Sequence, residues 1–472
     1  MKTKTQFSWE LSAEYKSERP IMSKSFRPIV TLGAALVLIS LSLLVVGVAS
    51  ATDPQSGSTA SGAARNAAIV ATTQAVLKET SEVRELTVLR AVKSGAQSRS
   101  EIERMVIRNL EEQTTPEEML ASEIALRKLA LVPKDFQYRS FVIKLLSEQV
   151  AGYYDPKAQQ FYLADWIELE GQKPVMAHEL THALQDQHFN LRRFEKWPKG
   201  DADAEMAAHA LIEGDATLAM TLYMAKNPLV ALAFIRSVAA TQTSSEEFQK
   251  APRALRESLT FPYQQGMEWA TQVYKRGGWA MISEAYRQLP QSTEQILHPE
   301  KYFAREAPLK VTLPELQRVL GPAWKRLDYD VNGEWSYFLI LDEFIKDGSE
   351  SRRAAAGWAG DRYALYQGPA VGDVLLVQMT VWDSENDAQE FFDAYAKRTE
   401  SRYPGAKPVE VPRSQLVPVN YLQTEQPQIR RSIWQTSEGG VAIDRRGSRV
   451  VIVEGIPDKT DSKSLLRLLW QE

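Results

Sequence analysis

A chain of 472 residues is too long for one compact core, so two or three domains are expected. Hydrophobic residues at 44% and charged residues at 25% give an ordinary folded protein, and a formal net charge of -4 leaves no concentrated basic face for nucleic acid. The chain has no cysteine, which excludes disulfides, thiolate metal sites and a cysteine nucleophile and leaves histidine and carboxylates as the strong metal ligands.

From Ile29 to Val48 the chain carries no charge; Lys24 and Arg27 precede this run and Ala49-Ser50-Ala51 follows it. Residues 1–51 therefore read as a signal peptide or N-terminal membrane anchor, and a start at Met22 gives the signal normal proportions. The apolar run is about 20 residues, enough to span a bilayer where it is retained, so membrane attachment through residues 29–48 is one expected outcome. The chain is expected to be exported: periplasmic, extracellular or anchored in the cell envelope. A cysteine-free exported chain fits a bacterial envelope.

Residues 52–65 are rich in Ser, Gly and Ala and read as a linker. Over 66–149 apolar residues such as Ile102, Met105, Val106 and Leu110 recur at helical spacing, and Thr115-Pro116-Glu117-Glu118 has the form of a helix start. Two aromatic-rich runs, 150–154 and 160–164, bracket Asp155-Pro156-Lys157 and predict a β-hairpin. A helix from near Pro174 to about Asn190 follows. An alanine-rich helix then runs from about Asp201 to Lys226 and stops at Asn227-Pro228. Further helix, interrupted at Gly277-Gly278, continues to about Leu289.

Residues 150–310 are taken as one domain, 311–356 as a helical connector and 357–472 as a C-terminal α+β domain. In the last, 373–382, 432–434, 441–443 and 449–454 read as strands, and 385–398 and 465–470 as helices. Arg430, Arg431, Arg445, Arg446 and Arg449 make its hairpin locally basic, as suits an exposed edge. The expected class is α+β, with a mainly helical first part.

The chemistry concentrates in His178-Glu179-Leu180-Thr181-His182. Residues four apart share one helix face, so both imidazoles can reach one cation, and Glu179 can reach a water in the cation's open position. Zinc (Zn2+) with three protein ligands lowers the pKa of such a water toward 7, and a carboxylate then takes its proton. Ala177 and Ala183 flank the motif and allow another helix to approach. The chain has only five histidines and places two of them here.

A third ligand is required. Glu213 is the choice, because it lies among Ala207, Ala208, Ala210, Gly214 and Ala216, small residues that let its helix pack closely against the first. A carboxylate on such a face needs a charge partner. Glu205 and Glu170 are weaker carboxylates for the role. The alternative third ligand is His188, six residues after His182, the spacing of the longer three-histidine signature. That signature breaks its helix at a glycine, where this chain has Gln185, so continuous helix is expected to carry His188 off the ligand face. His209, one turn before Glu213, faces either the water and substrate or a packing partner.

The motif together with the downstream Glu213-Gly214-Asp215-Ala216 resembles the gluzincin metallopeptidases over roughly residues 150–300. The resemblance implies a zincin-like fold, zinc held by His178, His182 and Glu213, and Glu179 as general base. The interval from His182 to Glu213 is longer than in thermolysin. Thr217 stands where thermolysin-like enzymes carry an aspartate, which leaves Asp215 and Asp186 as candidates to orient the histidines. Gluzincins add a Tyr or His opposite the metal to stabilise the oxyanion, here Tyr263 or His298. The strand 160–164, taken as an edge, is expected to pair with an extended peptide.

The expected function is an exported zinc metallopeptidase, a hydrolase acting on a peptide or protein. The competing readings are a non-catalytic envelope scaffold or binding protein on the same fold, a three-histidine metzincin-like site, and a metal-dependent hydrolase of a non-peptide bond. The intact Glu179 favours catalysis.

Overall fold

The computed structural model describes residues 59–197, 200–240, 246–370, 372–409 and 429–471. The export segment 1–51 and the first part of the linker lie outside them. Among the described residues no single helix is long and apolar enough to cross a membrane.

Helix α1 (Thr59–Arg84) begins inside the segment read as linker. The alanines there cost little side-chain entropy in a helix. Strand β1 (Lys93–Gln97) interrupts the region read as wholly helical, before α2 (Arg99–Gln113), α3 (Pro116–Lys128) and α4 (Tyr138–Gln149). Thr115 caps α3: its hydroxyl accepts from the Glu118 amide at 3.2 Å, and its own amide donates to Glu118 Oε2 at 2.8 Å.

β2 (Gly152–Asp155) and β3 (Gln160–Ala164) form the expected hairpin. β1 pairs parallel with β3, so the sheet order is β1-β3-β2 and β3 is its central strand. The expectation that 160–164 is an open edge is therefore corrected: β1 covers it, and the outer edges belong to β1 and β2.

α5 (Lys173–Phe189) carries the histidine motif, and α6 (Ala202–Lys226) follows it. Then come α7 (Pro228–Ala240), α8 (Glu246–Lys250) and α9 (Arg253–Ala285), the last broken at Gly277 and at Gly278, whose φ is 63°. Short helices α10 (Thr293–Leu297), α11 (Pro299–Ala304) and α12 (Gln317–Leu320) lead into the second sheet.

That sheet comprises β4 (Lys325–Asp330), β5 (Trp358–Gln367), β6 (Val374–Trp382), β7 (Lys407–Pro408), β8 (Ile429–Thr436), β9 (Gly439–Arg446) and β10 (Arg449–Ile456). Its order is β4-β5-β6-β10-β9-β8-β7, antiparallel throughout. α13 (Gly333–Ile345) and α14 (Gly348–Ala355) lie between β4 and β5, α15 (Glu385–Arg402) follows β6, and α16 (Ser462–Leu469) ends the described chain. The sheet unit therefore starts inside the segment read as a helical connector. Lys325-Arg-Leu-Asp-Tyr-Asp330 is too charged to look like a strand, as suits the outermost position.

Alternation along β6 divides the sheet's two faces. Leu375, Val377, Met379 and Val381 pack with Leu465, Leu466 and Leu469 of α16. Leu376 and Trp382 point the other way, toward Phe338 of α13 and Phe391 and Tyr395 of α15. That second core runs on without a break into the helical part, where Phe261 of α9 lies 4.7 Å, centroid to centroid, from Trp335 of α13. The fold is α+β.

Candidate metal centre

α5 is enclosed on all sides, and every residue from Pro174 to Asp186 is buried. α1 and the β2–β3 hairpin pack on one side through Val76, Leu77, Tyr154 and Phe161 against Met176, Leu180 and Leu184. Polar side chains in such a helix need partners within the protein. The partners come chiefly from α6 and from Tyr154 of β2.

His178 and His182 stand one turn apart with ring centroids 4.7 Å from each other. Glu213 of α6 faces them. His178 Nε2 lies 3.1 Å from Glu213 Oε2 and 3.1 Å from His182 Nε2, and His182 Nε2 lies 3.4 Å from the same Oε2. Three ligand atoms held tetrahedrally at zinc distances of about 2.0–2.1 Å stand roughly 3.3 Å from one another. The triangle has that size. It is poorly explained by hydrogen bonds alone, since one imidazole nitrogen carries at most one proton and His178 Nε2 has two neighbours at bonding distance.

Charge agrees with geometry. Burial pushes the His178 pKa down. At His182 burial acts the same way, but the Glu213 carboxylate outweighs it and lifts the pKa to about 9. Burial would raise Glu213, yet the His182 charge and the bonds to both imidazoles hold it at about 2. Glu213 thus stays anionic and favours positive charge at the centre of the triangle.

Glu179 is fully buried, and its carboxylate comes within 4.8 Å of the nitrogens of both histidines. Its Oε2 accepts from the backbone N–H of Tyr154 at 2.9 Å. Tyr154 pairs with Phe161 across the hairpin, and its N–H points away from β3. The outer edge of β2, not of β3, therefore meets Glu179. Tyr263 of α9 stacks on His178, with centroids 6.1 Å apart and planes at 27°. It is carried there by a helix crossing so close that a β-carbon on Gly266 would lie 2.3 Å from the Ala210 carbonyl oxygen.

His182 is oriented by a residue not singled out for that role from the sequence, whereas His178 Nδ1 has no hydrogen-bond partner among the described residues. His182 Nδ1 donates to Gln185 Oε1 at 2.8 Å. The Gln185 amide in turn donates to the Ile212 carbonyl at 3.1 Å and to Asp215 Oδ2 at 3.0 Å, which fixes its orientation. Asp215 also accepts from Arg84 Nε at 2.5 Å and Nη2 at 3.1 Å, and from the Tyr286 hydroxyl at 2.9 Å. Asp215 reaches His182 through Gln185. Asp186 does not act on it; it accepts from Tyr154 Oη at 3.0 Å, the Leu191 amide at 3.1 Å and Arg90 at 3.4 Å. The spacing of Gln185 three residues after His182, one helical turn on, was the available signal.

Other predicted residues lie apart. α5 runs unbroken to Phe189 and carries His188 to the Thr87 carbonyl, 2.8 Å away, so His188 takes no part in the triangle. His298, proposed for the oxyanion, ends α10 and bonds to Glu334 at 2.9 Å; among the described residues no contact joins it to the metal centre. Glu170 pairs with Lys173 at 2.7 Å, and Glu205 is buried two turns before Glu213. His209 is buried one turn before Glu213, held neutral by burial at a pKa of about 4. Its Nε2 has no hydrogen-bond partner among the described residues.

A family model described as a domain of unknown function (DUF8575) matches residues 317–466, which span the seven-stranded sheet and leave the metal centre outside. No curated protein and no solved structure matches the chain.

Proposed function

We propose that the chain is an exported zinc-dependent peptidase on a zincin-like fold, with His178, His182 and Glu213 as ligands and Glu179 as general base. The observation that carries this reading is the triangle of Nε2, Nε2 and Oε2 atoms with sides of 3.1, 3.1 and 3.4 Å. When bound, zinc supplies a Lewis acid that activates a water and polarises a carbonyl.

The chain's own residues do the rest. Glu179 takes the proton of the attacking water and passes it to the leaving amine, while the Tyr154 amide holds the carboxylate in place. Tyr263, beside His178, offers a phenol to the oxyanion.

A second reading has an observation in its favour. The ligand side chains are only 1%, 0% and 6% exposed, which suits a metal-holding scaffold without turnover. One experiment separates the two: metal content of the purified protein, with cleavage of a quenched peptide library before and after chelation and zinc return. Zinc with restorable cleavage supports the peptidase. Zinc without cleavage supports the scaffold, and a protein that takes up no zinc ends both.

A further inference from the structure

The most exposed large apolar side chain among the described residues is Leu229 on α7, at 83%; Leu232 at 43% and Ile235 at 61% continue from it. Residues three apart on a helix turn by about 300°, so these three cover an arc of roughly 120° on one face. The opposite face holds α7 to the protein. Phe234 is buried, Val230 packs on the core between α1 and α5, and Ser237 lies against Gly171, where an added β-carbon would meet it at 3.0 Å. α7 is thus a fixed helix whose outer face combines three exposed apolar side chains with the Arg236 cation. It contains no acidic residue; the exposed Arg236 stands on the same outer face, between Leu229 and Leu232 in projection, and the exposed Lys226 ends α6 two residues before α7 begins.

Three exposed side chains make a patch well below the roughly 800 Å² per partner of a stable protein interface. It is too small for a second copy but suits a lipid surface, where an amphipathic helix needs only a shallow apolar face with cations beside it. The chain's own tether leads there. The uncharged run Ile29–Val48 ends eleven residues before Thr59, where α1 begins, a reach of at most about 40 Å. The first turns of α1 lie beside the segment that supports α7: Arg65 donates to the Ile167 carbonyl, and Gly171 touches Ser237. A chain held in a bilayer by residues 29–48 thus keeps α7 within reach of the same membrane.

We propose that α7 is an interfacial membrane helix, its Leu229, Leu232 and Ile235 side chains entering the lipid headgroup region while Lys226 and Arg236 face anionic headgroups. The proposal stands independently of the metal centre.

Since the chain lacks cysteine, single-cysteine variants can be labelled at one position each. Full-length protein carrying Leu229→Cys, Leu232→Cys or Ile235→Cys, and Leu120→Cys as an exposed apolar control on α3, is made cell-free with phosphatidylcholine–phosphatidylglycerol vesicles. Each is labelled with an environment-sensitive fluorophore. The three α7 positions are expected to show blue-shifted emission that nitroxide-bearing lipids quench, and Leu120→Cys neither. Emission at α7 as water-like as the control overturns the proposal. So does a blue shift that lipid nitroxides leave unquenched, which would mean a protein occupant, and so does full-length protein that fails to float with the vesicles.

Discussion

Gly214 of α6 and Gly266 of α9 touch through their backbones: a β-carbon on Gly214 would lie 2.1 Å from the Gly266 carbonyl oxygen. No side-chain movement can relieve that overlap, because both partners are main chain. Gly214→Ala should force α6 from α9 and shift both Glu213 and Tyr263, at a cost of more than about 3 kcal/mol. Gly278 is the control. An added β-carbon there meets nothing within 4 Å and bears only the backbone strain of φ 63°, ψ -161°, so Gly278→Ala should cost about 1–3 kcal/mol. Urea midpoints of the two variants check the order, and equal midpoints would contradict the packing described.

Glu179→Gln keeps the shape of the side chain and all three ligands, and the carboxamide oxygen it introduces still accepts from the Tyr154 amide. It cannot take a proton. Zinc content should stay stoichiometric, while kcat falls by about 10²–10⁴-fold or more. Wild-type turnover in the variant would remove Glu179 from the mechanism.

Zinc content separates the two third-ligand candidates. Glu213→Ala leaves two imidazoles and should lose zinc on dialysis. His188→Ala removes a bond to the Thr87 carbonyl, costs about 1 kcal/mol of stability and should keep its zinc. The opposite pattern would return the site to a three-histidine arrangement.

The parts of this site that follow a local rule were legible in the sequence. His178 and His182 are four apart, Pro174 and Asn227-Pro228 mark helix ends, and the small residues around Glu213 announce close packing. The partner in that packing was not legible: Ala210 and Gly214 admit α9 rather than α5 alone. Nor was β1, since Lys93-Ser-Gly-Ala-Gln97 has no apolar alternation and is extended by parallel pairing with a strand far along the chain. Without β1, the 160–164 strand looked like an edge. His298 looked free because Glu334, its partner, comes from a helix of the sheet unit. Long-range pairing decides all three cases, and periodicity carries no record of it.

Gln185 is a positioning residue for His182. Gln185→Leu keeps the volume but removes the acceptor at Nδ1 and leaves Asp215 with one donor fewer. Zinc affinity should drop by about 10–100-fold with the fold intact. Gln185→Glu restores an acceptor for Nδ1 but sets a second carboxylate against Asp215, so its affinity should fall between the two. Competition with a zinc chelator reads both, and wild-type affinity in Gln185→Leu would deny the role.

Acid stability should turn on Glu454, which lies in the second sheet, apart from the candidate metal centre. This carboxylate of β10 is fully buried and accepts from Arg398 at 2.7 Å, Arg402 at 2.8 Å and the Tyr395 hydroxyl at 2.5 Å. Burial alone would raise its pKa; the charges of Arg398, Arg402 and Lys128 outweigh burial and hold it at about 2. A carboxyl depressed in the folded state stabilises the protein above its unfolded pKa, and that contribution disappears as pH falls through the folded value. Glu454 should thus contribute fully above about pH 4.5 and progressively less toward pH 2, a span worth on the order of 3 kcal/mol. Glu454→Gln leaves the Arg398 and Arg402 charges buried without their partner, which costs about 3–5 kcal/mol near neutrality. Because glutamine does not titrate, the gap between variant and wild type should narrow as pH drops from 4.5 toward 2. Denaturant midpoints of both proteins across that range test it, and a gap that stays constant would show that this carboxylate carries no pH dependence.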